Sequence, residues 1–384
     1  MARVDVRIES VVTRKQWAEF IALPWAIYQG DPHWVPPLRM AVRDLLDTRK
    51  NPFFKHARMV AVVARDSEGK RCLGRVIGVI DENHNRFHDE KTAFFGFYES
   101  IDNSAVAAAL FGFVGQWAKG QGMERLRGPM NPSTNHECGL LVEGHGEAPS
   151  VMMTYNPPYY AKLFAENGFE KSKDLFAYDI DHRTATNLGP MAAQQSRLAE
   201  KAGVVVRAAR MQDFDSEIDK ILEIYNDAWE KNWGFVPMTP EEFRHMARDM
   251  KAIVDPNMLL IAEVNGEPAG FGLALPDVNR AFARVRSGRL TPVGIAKLLW
   301  NLKGPGRRKT LNRARVITLG VRSRYRPMGL GPLLYLEYIR RGPLHGYPTA
   351  ECSWILEDNK PMNQALLKIG ARRSKVYRIY DRTL

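Results

Sequence analysis

Cysteine is scarce in this chain: three residues in 384, at positions 72, 138 and 352. Their odd number and wide spacing argue against a disulfide framework and give no zinc-ligand pattern. Long apolar runs are missing as well. None approaches the ~20 residues needed to cross a bilayer. Met1 to Val6 carry no apolar signal core. A reducing cytoplasm is the expected home. Acidic residues are absent from one window. From Arg280 to Arg315 there are eleven Lys and Arg and no Asp or Glu, so this stretch holds almost the whole net charge of +12. A basic patch so confined predicts an anionic surface met at one place.

What is present suits a globular protein, with 45% hydrophobic and 26% charged residues. The length suits two domains. The two halves also echo each other. Gly168, Ser172, Lys173, Tyr178 and Asp179 recur in register as Gly370, Ser374, Lys375, Tyr380 and Asp381, 202 positions later. Each copy follows an Asn (Asn156, Asn359) and an amphipathic helix. A looser echo sets His33-Trp34-Val35-Pro36 against Trp233-Gly234-Phe235-Val236-Pro237. Two copies of one domain are expected, over 1–180 and 203–384. A polar linker with Gly189-Pro190 joins them over 181–202.

Hydrophobic periodicity fills in the elements. The first half predicts a strand over 4–9 and a helix over 13–28. Strands over 59–64, 74–80 and 94–99 follow, then a helix over 106–120 and a strand over 125–128. A helix over 159–166 and a strand over 175–180 complete it. The second half predicts strand 204–207, helix 213–230 and helix 239–251. Thr239, Pro240 and Glu242 sit at cap, first-turn and capping-box positions of that last helix. A hairpin crosses Asn265-Gly266 between strands 259–264 and 269–275. Strand 316–321, helix 333–341, strand 349–355, helix 362–368 and strand 376–380 finish the chain. The expected class is a mixed α+β sandwich, ordered β-α-β-β-β-α-β-α-β in each copy.

Arg326-Pro327-Met328-Gly329-Leu330-Gly331 lies between the strand over 316–321 and the helix after it. Glycines there expose backbone N–H groups at a helix N-terminus, and the helix dipole favours an anion at the same place. Arg326 adds a fixed cation. The spacing fits neither the nucleoside-triphosphate loop nor the dinucleotide fingerprint. It resembles the Arg/Gln-x-x-Gly-x-Gly/Ala loop of the GNAT superfamily of acyl-CoA N-acyltransferases, carried here by Arg326, Gly329 and Gly331. Pro332 behind the loop removes one N–H donor.

That resemblance implies tandem GNAT-like domains using acyl-CoA as co-substrate and no metal. Arg326, Met328, Gly329, Leu330 and Gly331 would hold the pyrophosphate. Backbone N–H groups of Leu319 or Val321 would polarise the thioester carbonyl. Asn359 stands where the family's cofactor-contacting Asn stands, and a helix N-cap explains it equally. Gly329→Asp is expected to abolish CoA binding and leave the fold intact. The first half lacks the loop, since Ser100 to Ala105 follow Phe97-Tyr98-Glu99. Its implied role is to shape the acceptor pocket.

Acyl transfer needs a neutral amine, a polarised carbonyl and an acid for the thiolate. Glu351 shares a strand face with Ser353 by alternation and is the first candidate base. A salt-bridged edge glutamate is the equal alternative. The tyrosine that serves as acid in many relatives is replaced by Leu366, and by Phe164 in the first copy. Glu99 ends the corresponding strand of the first half. His136 and Glu137 are candidate base and orienter in a long stretch, 128–139, read as lacking regular structure. Asn131, Asn135 and Tyr155 are candidate acceptor contacts. His136, Cys138 and His145 lack metal-ligand spacing, and Asn and Pro turns offer a purely structural reading of the stretch.

The basic window holds a short apolar helix, Thr291 to Lys303, with Leu, Ile and Trp. Core packing is its ordinary explanation. Peripheral contact with an anionic inner membrane face through 280–315 is the other. The stretches 94–99, 128–134 and 155–160 resemble a bacterial tandem GNAT group with members implicated as ceramide synthases, joining fatty acyl-CoA to a sphingoid-base amine. Three rivals stand beside that reading: an acetyl-CoA-dependent acetyltransferase of a small-molecule or protein amine, an aminoacyl-tRNA-dependent transferase, and a non-enzymatic binding module. Retention of the Arg326 loop argues against the tRNA reading and against nucleic acid as partner.

Overall fold

Apolar strands and one-faced helices in this chain assemble into two compact units. The computed structural model describes residues 5–185, 188, 189, 193, 197, 200 and 203–384. Part of the linker expected over 181–202, and residue 4 of the first expected strand, lie outside the described residues. The strands are β1 Arg7–Ser10, β2 Ala57–Arg65, β3 Cys72–Asp81, β4 Thr92–Ser100, β5 Arg125–Gly128, β6 Met130–Asn131, β7 Glu137–Cys138, β8 Leu140–Glu143, β9 Glu170–Asp181, β10 Val204–Ala208, β11 Leu259–Val264, β12 Glu267–Pro276, β13 Arg313–Val321, β14 Thr349–Leu356 and β15 Arg372–Thr383. The helices are α1 Arg14–Ala22, α2 Pro24–Ile27, α3 Arg39–Leu45, α4 Glu82–His88, α5 Ser104–Gly120, α6 Tyr160–Glu166, α7 Phe214–Trp229, α8 Pro240–Met250, α9 Asn279–Phe282, α10 Pro292–Leu302, α11 Arg307–Thr310, α12 Leu330–Leu344 and α13 Lys360–Lys368.

The first unit comprises Met1–Leu175, Val285–Leu290 and Lys375–Leu384. Its sheet runs β1-β2-β3-β4-β5, and residues Tyr380 to Thr383 of β15 pair antiparallel with β5. Helices α5 and α6 bury Leu110, Phe111 and Phe164 against Phe95 of β4. The second unit comprises Phe176–Arg284 and Thr291–Ser374. Its sheet runs β10-β11-β12-β13-β14, with β9 beside β14. One core forms where Ile218, Ile221 and Ile224 of α7 meet Ile261 and Phe271. A second gathers Tyr178, Ile180, Ile355 and Leu366.

Local rules of sequence account for much of this. Thr239 and Glu242 form the predicted capping box, and Pro240 opens α8. Asn265 and Gly266 take φ of +50° and +80°, the left-handed pair that a two-residue hairpin turn requires. The repeat survives as geometry. Strands β9 and β15 both have 12 residues, each two positions after a left-handed glycine, Gly168 or Gly370. Three expectations are corrected. The helix expected over 13–28 ends at Ala22 and restarts at Pro24, because proline lacks the N–H to continue it. The stretch 128–139 is not wholly irregular. Met130 pairs with Cys138 and Asn131 with Glu137 as a small hairpin. The basic window is not one surface patch, since Arg315 is buried inside the sheet and Arg313 pairs with Asp179.

Candidate functional site

Strands β13 and β14 run parallel and pair only from Arg313–Thr349 to Val316–Cys352. Opposite β12 the register slips between Thr318 and Val316, so Ile317 is an extra residue. Such a bulge bends its strand. Beyond that rung no pairing joins the two strands, and Ile317, Thr318 and Leu319 are half-buried rather than covered. The Arg322 N–H donates to the Ala269 carbonyl at 2.8 Å. Strand alternation therefore turns the Gly320 and Thr318 amides toward β12, and those of Leu319 and Val321 toward the opening.

After β13, residues Ser323–Met328 make a 3-10 turn, and Gly329 begins α12 at φ +75° with no side-chain cap. Leu330 and Gly331 are the first two helical residues, whose N–H groups have no acceptor within the helix itself. A Cβ on Gly331 would meet nothing within 4 Å. The positive φ of Gly329 strains any L side chain there, so Gly329→Asp would carry a stability cost as well as an effect on the loop. Arg326 is held beside the turn, donating to the Ala228 carbonyl at 2.6 Å and lying 3.4 Å from that of Val321. Met328 closes the turn. The Asn359 side chain accepts from the Met362 N–H at 3.3 Å as the α13 cap.

The first unit has the same parts with the donors already used. Its β4–β5 pairing stops at Phe94–Arg127, and Phe97 on β4 is left-handed at φ +48°. The Phe97 N–H is taken by the Asn131 side chain at 2.6 Å. The following helix, α5, is capped by Asn103, whose side-chain oxygen accepts from the Ala105 and Val106 N–H groups. Gly96 leaves no room for a ligand there, since a Cβ would fall 1.7 Å from the Met130 carbonyl oxygen.

Glu351 is 0% exposed. The Ser353 hydroxyl donates to it at 2.7 Å, and Arg313 lies at 3.7 Å. The Arg315 guanidinium donates in turn to the Ser353 hydroxyl at 2.9 Å and carbonyl at 3.0 Å. Ser353 is the first residue past the last paired rung. This chain of contacts was not foreseen from sequence, where Arg313 and Arg315 read as surface cations. Glu99 is buried in the first unit, accepting from the Tyr160 hydroxyl at 2.7 Å with Arg75 at 3.6 Å. Burial pushes its carboxyl up, against Arg75. His136 shares a 2.8 Å hydrogen bond with Ser133 and sets its ring edge-on to Phe53. Asn135 donates its N–H to Ser133 at 3.2 Å, and Glu137 lies beside Asn131 on the hairpin. The Tyr155 hydroxyl donates to Asp31 at 2.9 Å, and burial with that carboxylate pushes its phenol up.

A cavity of about 560 Å³, counting its open side, lies under α12. Val316 and Cys352, the last paired rung, belong to its wall, with Ala314, Tyr335, Leu366 and Ile369. Burial pushes the Cys352 thiol up to about 12, so it stays neutral there. Among the described residues no group of side chains could hold a metal ion, and no helix is long and apolar enough to cross a membrane.

Residues 218–371 match the family model described as Acetyltransferase (GNAT) family. The chain is 36% identical over 381 residues to Protein YghO of Escherichia coli (strain K12), covering 98% of this chain and 95% of that one. It is 35% identical over 385 residues to the bacterial ceramide synthase of Caulobacter vibrioides (strain NA1000 / CB15N), covering 99% and 98%. Among solved structures, a tandem GNAT protein from the clavulanic acid biosynthesis pathway aligns with TM-score 0.53 at 14% identity, covering 99% of this chain and 98% of that one.

Proposed function

The chain belongs to the GNAT family of N-acyltransferases, and from that membership we propose that it moves a fatty acyl group from acyl-CoA to a lipophilic amine, a sphingoid base in its most specific form. The observation that carries the proposal is the uncapped start of α12 beside a bulged end of β13 that is unpaired on its β14 side, set against a first unit whose equivalent donors are filled by Asn103 and Asn131. In this reading the N–H groups of Leu330 and Gly331 receive the pyrophosphate, with Met328, Gly329 and Arg326 shaping the turn and Asn359 nearby in sequence to α13. The Leu319 and Val321 amides polarise the thioester carbonyl. The amine attacks that carbon, the thiolate of CoA leaves, and the amine gives up a proton. Glu351 takes it through the Ser353 hydroxyl.

Two observations support a long acyl chain. The cavity under α12, lined largely by apolar side chains, begins at the rung where β13 and β14 part. A relative of nearly equal length is named a ceramide synthase. The first unit contributes acceptor recognition through Asn131, Asn135 and Tyr155, with Glu99, His136 and Glu137 as its titratable groups. The enzyme works in the cytoplasm, in peripheral contact with an anionic membrane through the exposed cations of 280–315, Lys297, Lys303, Arg308 and Lys309 among them.

Thermal shift with acetyl-, octanoyl- and palmitoyl-CoA tests this, because a ligand of the native state raises the melting temperature with its affinity. Stabilisation that grows with chain length is expected. Stabilisation by acetyl-CoA alone would assign the site to small-amine acetylation. No response to any of the three would remove the acyl-CoA-dependent reading and leave the tRNA-dependent or binding-module alternatives.

A further inference from the structure

Helix α10 shows its apolar side to solvent. Its buried residues are Gly294, Leu298 and Asn301, which share one face at helical spacing. Pro292, Val293, Ile295, Ala296, Leu299 and Trp300 are all exposed. Val293 is 65% exposed, Ile295 43%, Leu299 55% and Trp300 58%. At 3.6 residues per turn these six fall on one outward arc, with Lys297 at its margin. Core packing, the ordinary explanation of such a stripe, accounts only for Leu298.

The face is presented rigidly. Thr291 caps the helix by accepting from the Gly294 N–H at 3.2 Å. Asn301 donates to the Lys297 carbonyl at 2.7 Å and accepts from the Thr310 hydroxyl at 2.7 Å, tying the inner side to α11. The Trp300 indole lies on the turn that follows, where a Cβ on Gly306 would come within 2.7 Å of it. Lys297, Lys303, Arg308 and Lys309 are exposed around this face, in a window without carboxylates. Arg307 is already used, bonded to the Tyr347 hydroxyl at 2.6 Å and near Asp255 at 3.4 Å.

We propose that α10 is an interfacial helix that lies flat on an anionic phospholipid bilayer. Val293, Leu299 and Trp300 enter the acyl boundary, and Lys297, Lys303, Arg308 and Lys309 meet the headgroup phosphates. Eleven residues at ~1.5 Å each reach about half of a ~30 Å hydrocarbon core, so the helix lies on the membrane and does not span it. A second copy of this chain is a poor occupant, because two such faces would bring like charges together. A bilayer supplies hydrocarbon and anions at once, and tryptophan suits that boundary. The inference rests on the lipophilic reading above for why this enzyme meets a membrane, but its test uses neither donor nor acceptor.

The test is flotation of the full chain with vesicles of phosphatidylcholine, alone or mixed with phosphatidylglycerol. Binding to the mixed vesicles and little to the neutral ones is expected. Lys297→Gln and Lys303→Gln should each weaken it about fivefold. Val293→Ser with Leu299→Ser, both at exposed positions, should weaken it tenfold or more. On the unaltered chain, high salt should weaken binding as charge screening tightens. Equal binding to both vesicle types would overturn the proposal, and so would unchanged binding by the serine double variant. Binding to RNA with none to vesicles would overturn it as well. Anionic-vesicle binding in a protein that shows no thermal response to acyl-CoA would uphold the docking face and count only against the acyl-CoA-dependent reading.

Discussion

Gly331 occupies a position where an added side chain touches no protein atom, which makes it a sharper probe than Gly329 at φ +75°. An aspartate at the second residue of α12 should suit the helix, because a negative group near an N-terminus contributes about 0.3–1 kcal/mol. The same carboxylate would stand where the proposed pyrophosphate site lies. We expect Gly331→Asp to keep the native melting temperature within a few degrees and to weaken CoA binding on the order of a hundredfold, since each hydrogen bond to a charged group is worth about 1.5–3 kcal/mol. Calorimetric titration with CoA checks it; unchanged affinity would rule out the α12 N-terminus as the site. Residue by residue, the turn itself was legible in the sequence, because glycine spacing between a strand and a helix has few physical uses. Glu351 was legible as a strand residue sharing a face with Ser353. Its complete burial was not, because that depends on Arg313 and Arg315 arriving from β13, 36 or more positions earlier in the chain. Long cations read as surface until a partner is known to neutralise them.

Helix α7 is fastened to the edge of its sheet by a half-buried ion cluster around the buried Glu217. Arg207 of β10 donates to Glu217 at 2.6 and 3.0 Å and to Glu263 of β11 at 2.6 Å, and Lys220 reaches Glu217 at 2.9 Å. Burial pushes the Glu217 carboxyl up, but Arg207 and Lys220 outweigh it and hold it down at about 2. An unfolded glutamate titrates near ~4.3. The folded value is the lower one, so this pairing stabilises fully above about pH 4.3, and that contribution is lost as the pH falls toward 2. Arg207→Met should cost about 1–3 kcal/mol at neutral pH, since Glu217 loses its guanidinium but keeps Lys220 and the Arg210 N–H. It should also flatten the decline of melting temperature between pH 5 and 3. Parallel declines in the two proteins would show that the acid sensitivity arises elsewhere. Elements fixed by local chemistry, such as α8 with its capping box and the Asn265-Gly266 hairpin, could be read in advance. Short helices such as α3 and α4 and the β6–β7 hairpin could not. Their periods are too brief to register, and their pairing is set by tertiary neighbours.

The first unit is completed by the last ten residues of the chain, Lys375–Leu384. Four rungs join Tyr380–Thr383 to Gly128–Arg125 of β5. Asp381 takes both Nε and Nη2 of the buried Arg127, at 2.8 and 3.0 Å, with Glu90 at 3.1 Å from the same guanidinium. Tyr380 lies in the aromatic core beside Phe164, and Arg378 pairs with Asp174 at 2.7 Å. The second unit contains none of these partners. A chain ending at Ser374 would therefore leave β5 with an open edge, an arginine buried beside one carboxylate in place of two, and a core lacking its tyrosine. Removing one partner from a buried ion pair costs about 3–5 kcal/mol, and lost burial of Tyr380 adds about 3 kcal/mol or more. Together these approach the 5–15 kcal/mol that holds an ordinary domain folded. Hydrogen exchange on the truncated chain should show the β4 and β5 amides exchanging as in an unfolded segment. Those of β11, β12 and β13, whose pairing involves no residue beyond Ser374, should stay protected. Protection of β5 equal to that in the full chain would mean that the first unit folds without the terminal strand. The sequence repeat that aligns Asp381 with Asp179 would then record ancestry and carry no folding requirement.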